Sequence, residues 1–498
     1  MTFVVLHGHF YQPPREDPWT GEVPPEAGAA PFRDWNARID AECYRANAFA
    51  RASDDGVAHN NYARLSFNFG PTLLRWLDRH DPAVVTRLRE ADRASLARCG
   101  HGNAMAQGYS HAILPFCDAL DRATEIRWGL ADFAHRFGRA AEGLWLPETA
   151  ADEATLCDLI DHGLRFAVLS PRQASRVRPP GEDWRGVTPE NLDVGRPYRF
   201  LHRDGSGRFL TLFFYDGAAA QAMAFNGAAS DPVALVDRLV DSALGKPFVT
   251  VAVDGETFGH HHRYGDRALA RALFEAAEAR GLRPANFSLL HQRFPATWDV
   301  EIDLGPFGEG SSWSCFHGVG RWWRDCGCRF SPGTHQAWRG PLRAGLDALR
   351  DAARLYYLEE AGRLLRDPWA ARDAYVQVLL DPGPAALGRF LGEHATLRGL
   401  REEGRVLALL ELQSHALLMY ASCAWFFDDI GGLEAGLALR RAARLQDLWR
   451  ELGGTPPEHR VLEILAEARS NDGTLGNGAD IYRRLASRPA ALQPQGVA

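Results

Sequence analysis

The chain has 498 residues, of which 46% are hydrophobic and 24% charged, and its formal net charge is −7. At ~100–200 residues per domain, this length implies two to four domains, or one barrel with an appendage. Mild acidity excludes the clustered basic footprint of a nucleic-acid binder, and no apolar run is long enough to span a bilayer, so neither nucleic acid nor membrane is an expected partner.

The opening residues "MTFVVLHGHF" lack a basic leader segment and read as a strand of the fold, not a secretory signal. Further strand-like runs follow: "RLSFNF", "GLWLPE", "RFAVLS", "FLTLFFY" and "FVTVAVD". Amphipathic stretches such as "DRATEIRWGLADFAHRF" and "DPVALVDRLVDSAL" lie between them. Alternation of this kind predicts a parallel sheet with helices packed outside it. The strands are apolar on both faces, as buried parallel strands are, and the length suits a (β/α) barrel. After about Pro332 the strand-like runs stop and helical periodicity takes over, as in "PLRAGLDALRDAARLYYLEEAGRLLRD" and "RVLALLELQSHALLMYASCAWFFDDI". The expected organisation is a catalytic barrel over 1–335, an α-helical bundle over 336–490 and a loose tail over 491–498. Eight scattered cysteines, with only Cys326 and Cys328 close together, make no disulfide framework and point to a reducing, cytoplasmic location.

Catalytic groups of a (β/α) barrel collect past the C-terminal ends of its strands. The polar residues there are His7, His9, Asn68, Glu148, Ser170, Asp216, Asp254 and Glu256. Glu148 follows Trp145, whose broad apolar face suits the C–H edges of a sugar. Paired carboxylates on different strands fit glycoside cleavage, one as nucleophile and one as acid/base, although "PETAADEATL" also fits a helix start with Glu148 as a capping residue. Asp254 and Glu256 flank a glycine; two neighbouring carboxylates raise one another's pKa, as a proton donor at neutral pH requires. The alternative is a solvated turn. Two long Gly/Pro-rich loops, 11–35 and 304–328, carry tryptophan and read as active-site loops. Trp313 and Trp322 suit a sugar-stacking wall, with loop anchoring as the competing role.

Histidines raise a metal alternative. His7 and His9, with Asp254 and the run His260, His261 and His262, contain enough ligands for zinc. Three consecutive histidines cannot all face one ion, however, so at most His260 or His261 is expected to line the site. Cys315, His317, Cys326 and Cys328 are four further potential ligands, but their spacing matches no common structural zinc site, and they read as free buried cysteines.

"HFYQP", "GYSHAILP", "GLWLPE", "VAVDGETFG" and "SSWSCFHGVGRWW" occur in the order of the five motif regions of glycoside hydrolase family 57, which the chain resembles. The first region carries Phe10 and Tyr11 between His9 and Gln12, an insertion relative to the usual His-Gln-Pro. The resemblance implies an incomplete seven-stranded barrel and retaining chemistry on α-glucans. Glu148 maps onto the nucleophile and Asp254 onto the acid/base, with their carboxyl groups ~5–5.5 Å apart. It further implies substrate contacts by His9, Gln12, His111, Trp145, Glu256, Trp313 and Trp322, with His260 added from the strand exit. The long first and fifth regions and the "LMYASCAWFFDD" helix are similar to an uncharacterised branch with a helical C-terminal domain. The expected function is a cofactor-free hydrolase or glucanotransferase acting on an α-glucan or oligosaccharide. The alternatives are a metal-dependent polysaccharide hydrolase or deacetylase on a related barrel, and a catalytically silent glycan-binding protein.

Overall fold

In a computed structural model, which describes residues 1–52 and 56–486, the chain forms two compact units. The first comprises 1–12, 25–109 and 133–314; the second comprises 13–24, 110–132 and 315–498. The expected tail at 491–498 lies outside the described residues.

The first unit is mixed α/β. Seven of its strands form a run of parallel neighbours: β1 (Thr2–Phe10), β2 (Ser66–Phe69), β3 (Ala106–Gln107), β4 (Leu144–Trp145), β5 (Phe166–Leu169), β6 (Phe209–Phe214) and β7 (Phe248–Asp254). β1 pairs with β7 along most of its length, placing His9 opposite Asp254, and with β2, placing His9 opposite Asn68. A parallel bridge from Phe67 to Ala104 joins β2 to the segment entering β3. β3 pairs with β4, Gly143 bridges to Phe166 of β5, and β5 pairs with β6. Every link is between strands consecutive in sequence except β7–β1. The register therefore brings the C-terminal ends of β1, β2 and β7 to one rim.

Why these residues make these strands is legible in their burial. Val4, Val5 and Leu6 of β1 are almost fully buried on both faces, as are Val249, Val251 and Val253 of β7. β3 escapes a sequence reading because it is two residues long and one of them is the polar Gln107. A mixed extension was also not foreseen: Tyr198–Leu201 pairs antiparallel with β6 and parallel with Trp298–Ile302, which pairs antiparallel with Ala174–Arg178.

The second unit is built on the helices Arg339–Ala361, Glu403–Leu418 and Leu433–Glu451, with the shorter Glu458–Leu465 and Gly478–Leu485. Two segments early in the chain belong to it, which a single boundary near 335 misses. The buried pair Arg372–Asp121, 2.7 Å apart, fastens 110–132, helped by Trp128 Nε1 donating to the Arg372 carbonyl at 3.1 Å. Arg441 Nη2 donates to the carbonyls of Pro14 and Glu16 at 3.2 and 2.9 Å, and Trp19 Nε1 to Asp447 Oδ2 at 3.0 Å, which fastens 13–24. Buried guanidinium groups need such acceptors, so polar pairing joins apolar packing by Val23, Leu114 and Ile126 in holding these segments. No helix among the described residues is long and apolar enough to cross a membrane.

Candidate active site

β7 ends in Asp254, and a single 3-10 turn, Gly255–Thr257, presents Glu256. The glycine between them is required by close approach: a Cβ at Gly255 would sit 2.2 Å from the Phe10 ring. Asp254 is solvent-exposed at the strand end although protein packs densely around it. Its pKa is raised well above the ordinary carboxylate range, first by this crowding, then by the negative charges of Glu256 and Glu148. Among the described residues, no hydrogen-bond donor reaches its carboxyl group.

Glu256 is buried. Its Oε1 accepts from Tyr44 Oη at 2.6 Å and from the Tyr11 N–H at 3.3 Å. Burial raises its pKa to about 7, and the bonds from Tyr44, Tyr11 and Gln12 hold it from rising further. Gln12 also donates to Tyr44 Oη at 3.2 Å, so Gln12, Tyr44 and Glu256 form one network.

Glu148 sits just past β4 with φ 57° and ψ 20°, and Thr149 follows with φ 49°. Left-handed backbone at consecutive non-glycine residues is strained and is found where the surroundings over-determine it. Here Gln173 does so with every polar atom of its buried amide. Its Nε2 donates to the carbonyls of Thr149 at 2.8 Å and Ser311 at 3.0 Å, and its Oε1 accepts from Thr149 Oγ1 at 2.8 Å and Ser170 N–H at 2.9 Å. The bent backbone aims the Glu148 carboxylate at the 311–314 loop, where Oε2 accepts from Ser314 Oγ at 2.7 Å and Trp313 Nε1 at 3.2 Å. Trp313 is half-buried, and its N–H donates to the Glu148 carbonyl at 3.1 Å. Arg172 Nη2, donating to the Trp313 carbonyl at 2.7 Å, holds the loop from the other side.

His9 is buried edge-on to Trp313, with ring centroids 6.1 Å apart, and its Nδ1 accepts from Asn68 Nδ2 at 2.9 Å. Burial lowers its pKa to about 3, so the ring is neutral near pH 7 and can exchange hydrogen bonds with hydroxyls without carrying charge. Asn68 also bonds His7 Nε2 at 3.0 Å and donates to Gln107 Oε1 at 2.5 Å. His7 and Asn68 are among the strand-end polar residues that the sequence singles out, whereas Gln107, Tyr44, Gln173 and Ser314 were not found from sequence. Gln107, Tyr44 and Gln173 sit in no chemical motif, and Ser314 lies within the fifth motif region without standing out there.

Several expected substrate contacts are corrected. Trp145 has no exposed surface: it stacks on His7 at 4.5 Å and His9 at 5.4 Å and meets Trp313 edge-on, so it floors the site and offers no sugar platform. Trp322 is also fully buried, donating through Nε1 to the Ser422 carbonyl at 3.0 Å; it is core of the second unit. His111 belongs to that unit as well, where it is buried with Nδ1 2.7 Å from Ser422 Oγ. His260 commits Nδ1 to Glu42 at 2.5 Å.

The metal alternative at this rim finds no ligand set. His7 holds Ser66 and Asn68, His260 holds Glu42, and His262 Nε2 meets the Ala224 carbonyl at 2.9 Å. Among the described residues these histidines and Asp254 do not converge within coordination distance of one another.

Residues 33–298 match glycosyl hydrolase family 57, and residues 334–498 match a domain of unknown function (DUF3536). A 4-alpha-glucanotransferase of Thermococcus litoralis is 22% identical over 259 residues, which is 50% of this chain and 36% of that enzyme, so the match spans little more than a third of its length. Among solved structures, an exo-type maltose-forming amylase from Pyrococcus sp. ST04 superposes with a TM-score of 0.68 at 15% identity, covering 94% of this chain and 82% of the amylase. A GH57-type branching enzyme from Pyrococcus horikoshii gives 0.56 at 15% identity, covering 94% of each chain. At such identity the superpositions speak for the fold alone, while the match over 33–298 assigns the family: the chain belongs to glycosyl hydrolase family 57, joined to a helical region of unknown function.

Proposed function

We propose that the chain is a retaining glycoside hydrolase or glucanotransferase acting on α-1,4-linked glucans, with Glu148 as nucleophile and Asp254 as acid/base. The observation that carries this reading is the contrast between the two carboxyl groups. Glu148 is fixed by two donors and a strained turn. Asp254 has no donor among the described residues and is driven toward its protonated form by crowding and by the charge of Glu148 itself. Unlike environments for two carboxyl groups at one site are what divide the roles of nucleophile and proton donor.

In the first step a Glu148 oxygen bonds the anomeric carbon, the glycosidic C–O bond breaks, and Asp254 gives its proton to the departing oxygen. In the second, Asp254 takes a proton from water or an acceptor sugar hydroxyl, whose oxygen displaces Glu148. Trp313 is suited to stack on the sugar ring, and neutral His9, Gln12 and Glu256 to take its hydroxyls. The incomplete seven-stranded barrel fits the parallel run. Just past β6, the Asp216 N–H donates to the Thr250 carbonyl of β7 at 2.7 Å. The eight cysteines form no disulfide, which favours a reducing cytoplasm.

The test is product analysis on a panel of maltooligosaccharides and α-glucans, with Glu148→Gln as control and the anomeric configuration of the first product read by NMR. Retained α-configuration and products lost in the variant support the reading. An inverted product excludes the retaining pair, and no turnover on any member of the panel favours the silent glycan binder.

A further inference from the structure

The loop Cys315–Cys328, which the site chemistry does not use, gathers four side chains that its spacing gives no reason to group. Cys315 Sγ lies 4.0 Å from Cys326 Sγ and 3.8 Å from Cys328 Sγ, and Cys328 Sγ lies 3.5 Å from His317 Nδ1. All four ligand atoms fall within 4.8 Å of one another. The sulfurs are too far apart to be bonded, since a disulfide needs ~2.05 Å. They are instead at the edge lengths of a coordination tetrahedron. With Zn–S of ~2.3 Å and Zn–N of ~2.0–2.1 Å, tetrahedral angles put sulfurs ~3.8 Å apart and sulfur and nitrogen ~3.6 Å apart.

Arg339 supplies an independent sign. Its side chain is fully buried and, among the described residues, has no carboxylate within ion-pair distance. Its Nη1 instead points at the Cys326 sulfur at 3.8 Å and the Cys328 carbonyl at 3.1 Å, while Nη2 reaches the carbonyls of Phe426 and Phe427 at 3.4 and 3.2 Å. A buried guanidinium with no carboxylate in direct contact is costly, and Asp428 attracts Arg339 only from beyond ion-pair distance. Three thiolates and one neutral imidazole around Zn²⁺ carry a net charge of −1, which would supply a counter-charge next to the cation.

We propose that Cys315, His317, Cys326 and Cys328 form a structural zinc site of the Cys₃His type. Four protein ligands leave no open position, so the metal closes the loop and does no chemistry. Binding forms three Zn–S bonds and one Zn–N bond. The three thiols each release a proton to solvent, and nothing is oxidised or reduced.

The experiment uses the full chain, purified without added metal under reducing conditions, desalted, and analysed for metals by mass spectrometry. About one zinc per chain is expected. Cys328→Ser and His317→Ala should each lower this at least tenfold, while Cys157→Ser, a cysteine outside the cluster, should keep it. Because the ligand variants could misfold, cobalt exchange into the wild-type chain is a second reading. Intense thiolate-to-cobalt charge-transfer and tetrahedral ligand-field bands are expected, with loss of zinc upon mercurial titration of the thiols. The proposal is overturned by a folded wild-type chain that holds no zinc even after incubation with zinc and gel filtration. Full zinc in His317→Ala would overturn it, as would iron in place of zinc, or octahedral cobalt spectra.

Discussion

The carboxylate site and the Cys/His cluster are assembled in opposite ways. The first draws His9, Tyr44, Glu148, Asp254 and Ser314 from separate elements of the α/β unit, and every one of these side chains but Asp254 is fixed by a neighbour remote in sequence. The second lies between residues 315 and 328 of one loop with little regular structure, a single 3-10 turn at Gly320–Trp322. A rigid frame can hold groups that are not at rest, such as a glutamate at φ 57° and a crowded aspartic acid without a donor. A loop has no such frame, and its order must come from cross-links. Damage to the first region should therefore remove chemistry while sparing stability, and damage to the second should do the reverse.

The comparison breaks most visibly at Glu148. Glu148→Gln should lower kcat by ~10⁴–10⁶-fold, the range for loss of a nucleophile acting within a catalytic unit, with the thermal unfolding midpoint unchanged or raised. Asp254→Asn should cost less, ~10²–10⁴-fold on an α-glucan, whose departing sugar oxygen needs the proton that an acidic phenol does not. The deficit should shrink on an aryl glycoside with an acidic phenol, and an equal deficit on both substrates would contradict the acid/base role. Initial rates on the two substrate classes measure this.

Metal and frame come next. Removing zinc from the cluster should destabilise the chain by ~3 kcal/mol, the order expected when a cross-link closing a loop of this size is lost; denaturant unfolding with and without chelator measures it. Gln173→Leu should destabilise by ~2 kcal/mol, because the backbone groups it satisfies at Thr149, Ser311 and Ser170 lose their partners in a buried place. It should also lower kcat more than it changes KM, since the turn that aims Glu148 relaxes. If kcat falls no further than the folded fraction does, Gln173 is structural and nothing more.

The strand ends were legible in the sequence because parallel strands with two buried faces read as continuous apolar runs, and a polar residue at the end of such a run stands out. That logic reaches Glu148, Asp254, Glu256 and His9. It fails for Trp145 and Trp322, because a tryptophan suits a sugar wall and a core equally, and only exposure separates the two. It reaches Asn68 without showing its role, and it fails for Tyr44 and Gln173, whose roles come from what they touch. Residues 13–24 and 110–132 join the second unit through buried arginines, a pairing with no periodic signature. The Cys/His cluster eluded a reading by spacing because a loop can bring ligands together without a knuckle motif.

The smallest effect tests how the crowded carboxyl groups share charge. Asp254 must hold its proton in the free enzyme, so kcat/KM falls as pH rises through its pKa. Glu256, with its own pKa raised to about 7, is charged above that pH and keeps the Asp254 pKa up. Glu256→Gln removes the charge, so the alkaline limb of the kcat/KM profile should move to lower pH. Tyr44→Phe keeps the charge and only raises the pKa of Glu256, so the limb should move less; the two titrations are coupled, and the limb belongs to the pair. Stability should respond with its own sign. A carboxyl group raised from 4.5 to about 7 on folding contributes stability that is present below 4.5 and lost as pH rises through 7. Glu256→Gln escapes that loss, so relative to wild type it should be more stable at pH 8 than at pH 4.5 in urea unfolding, while being the poorer catalyst in alkali. A limb that stays in place would show that Glu256 is not the group raising Asp254, and a stability difference independent of pH would show that Glu256 is not itself raised on folding.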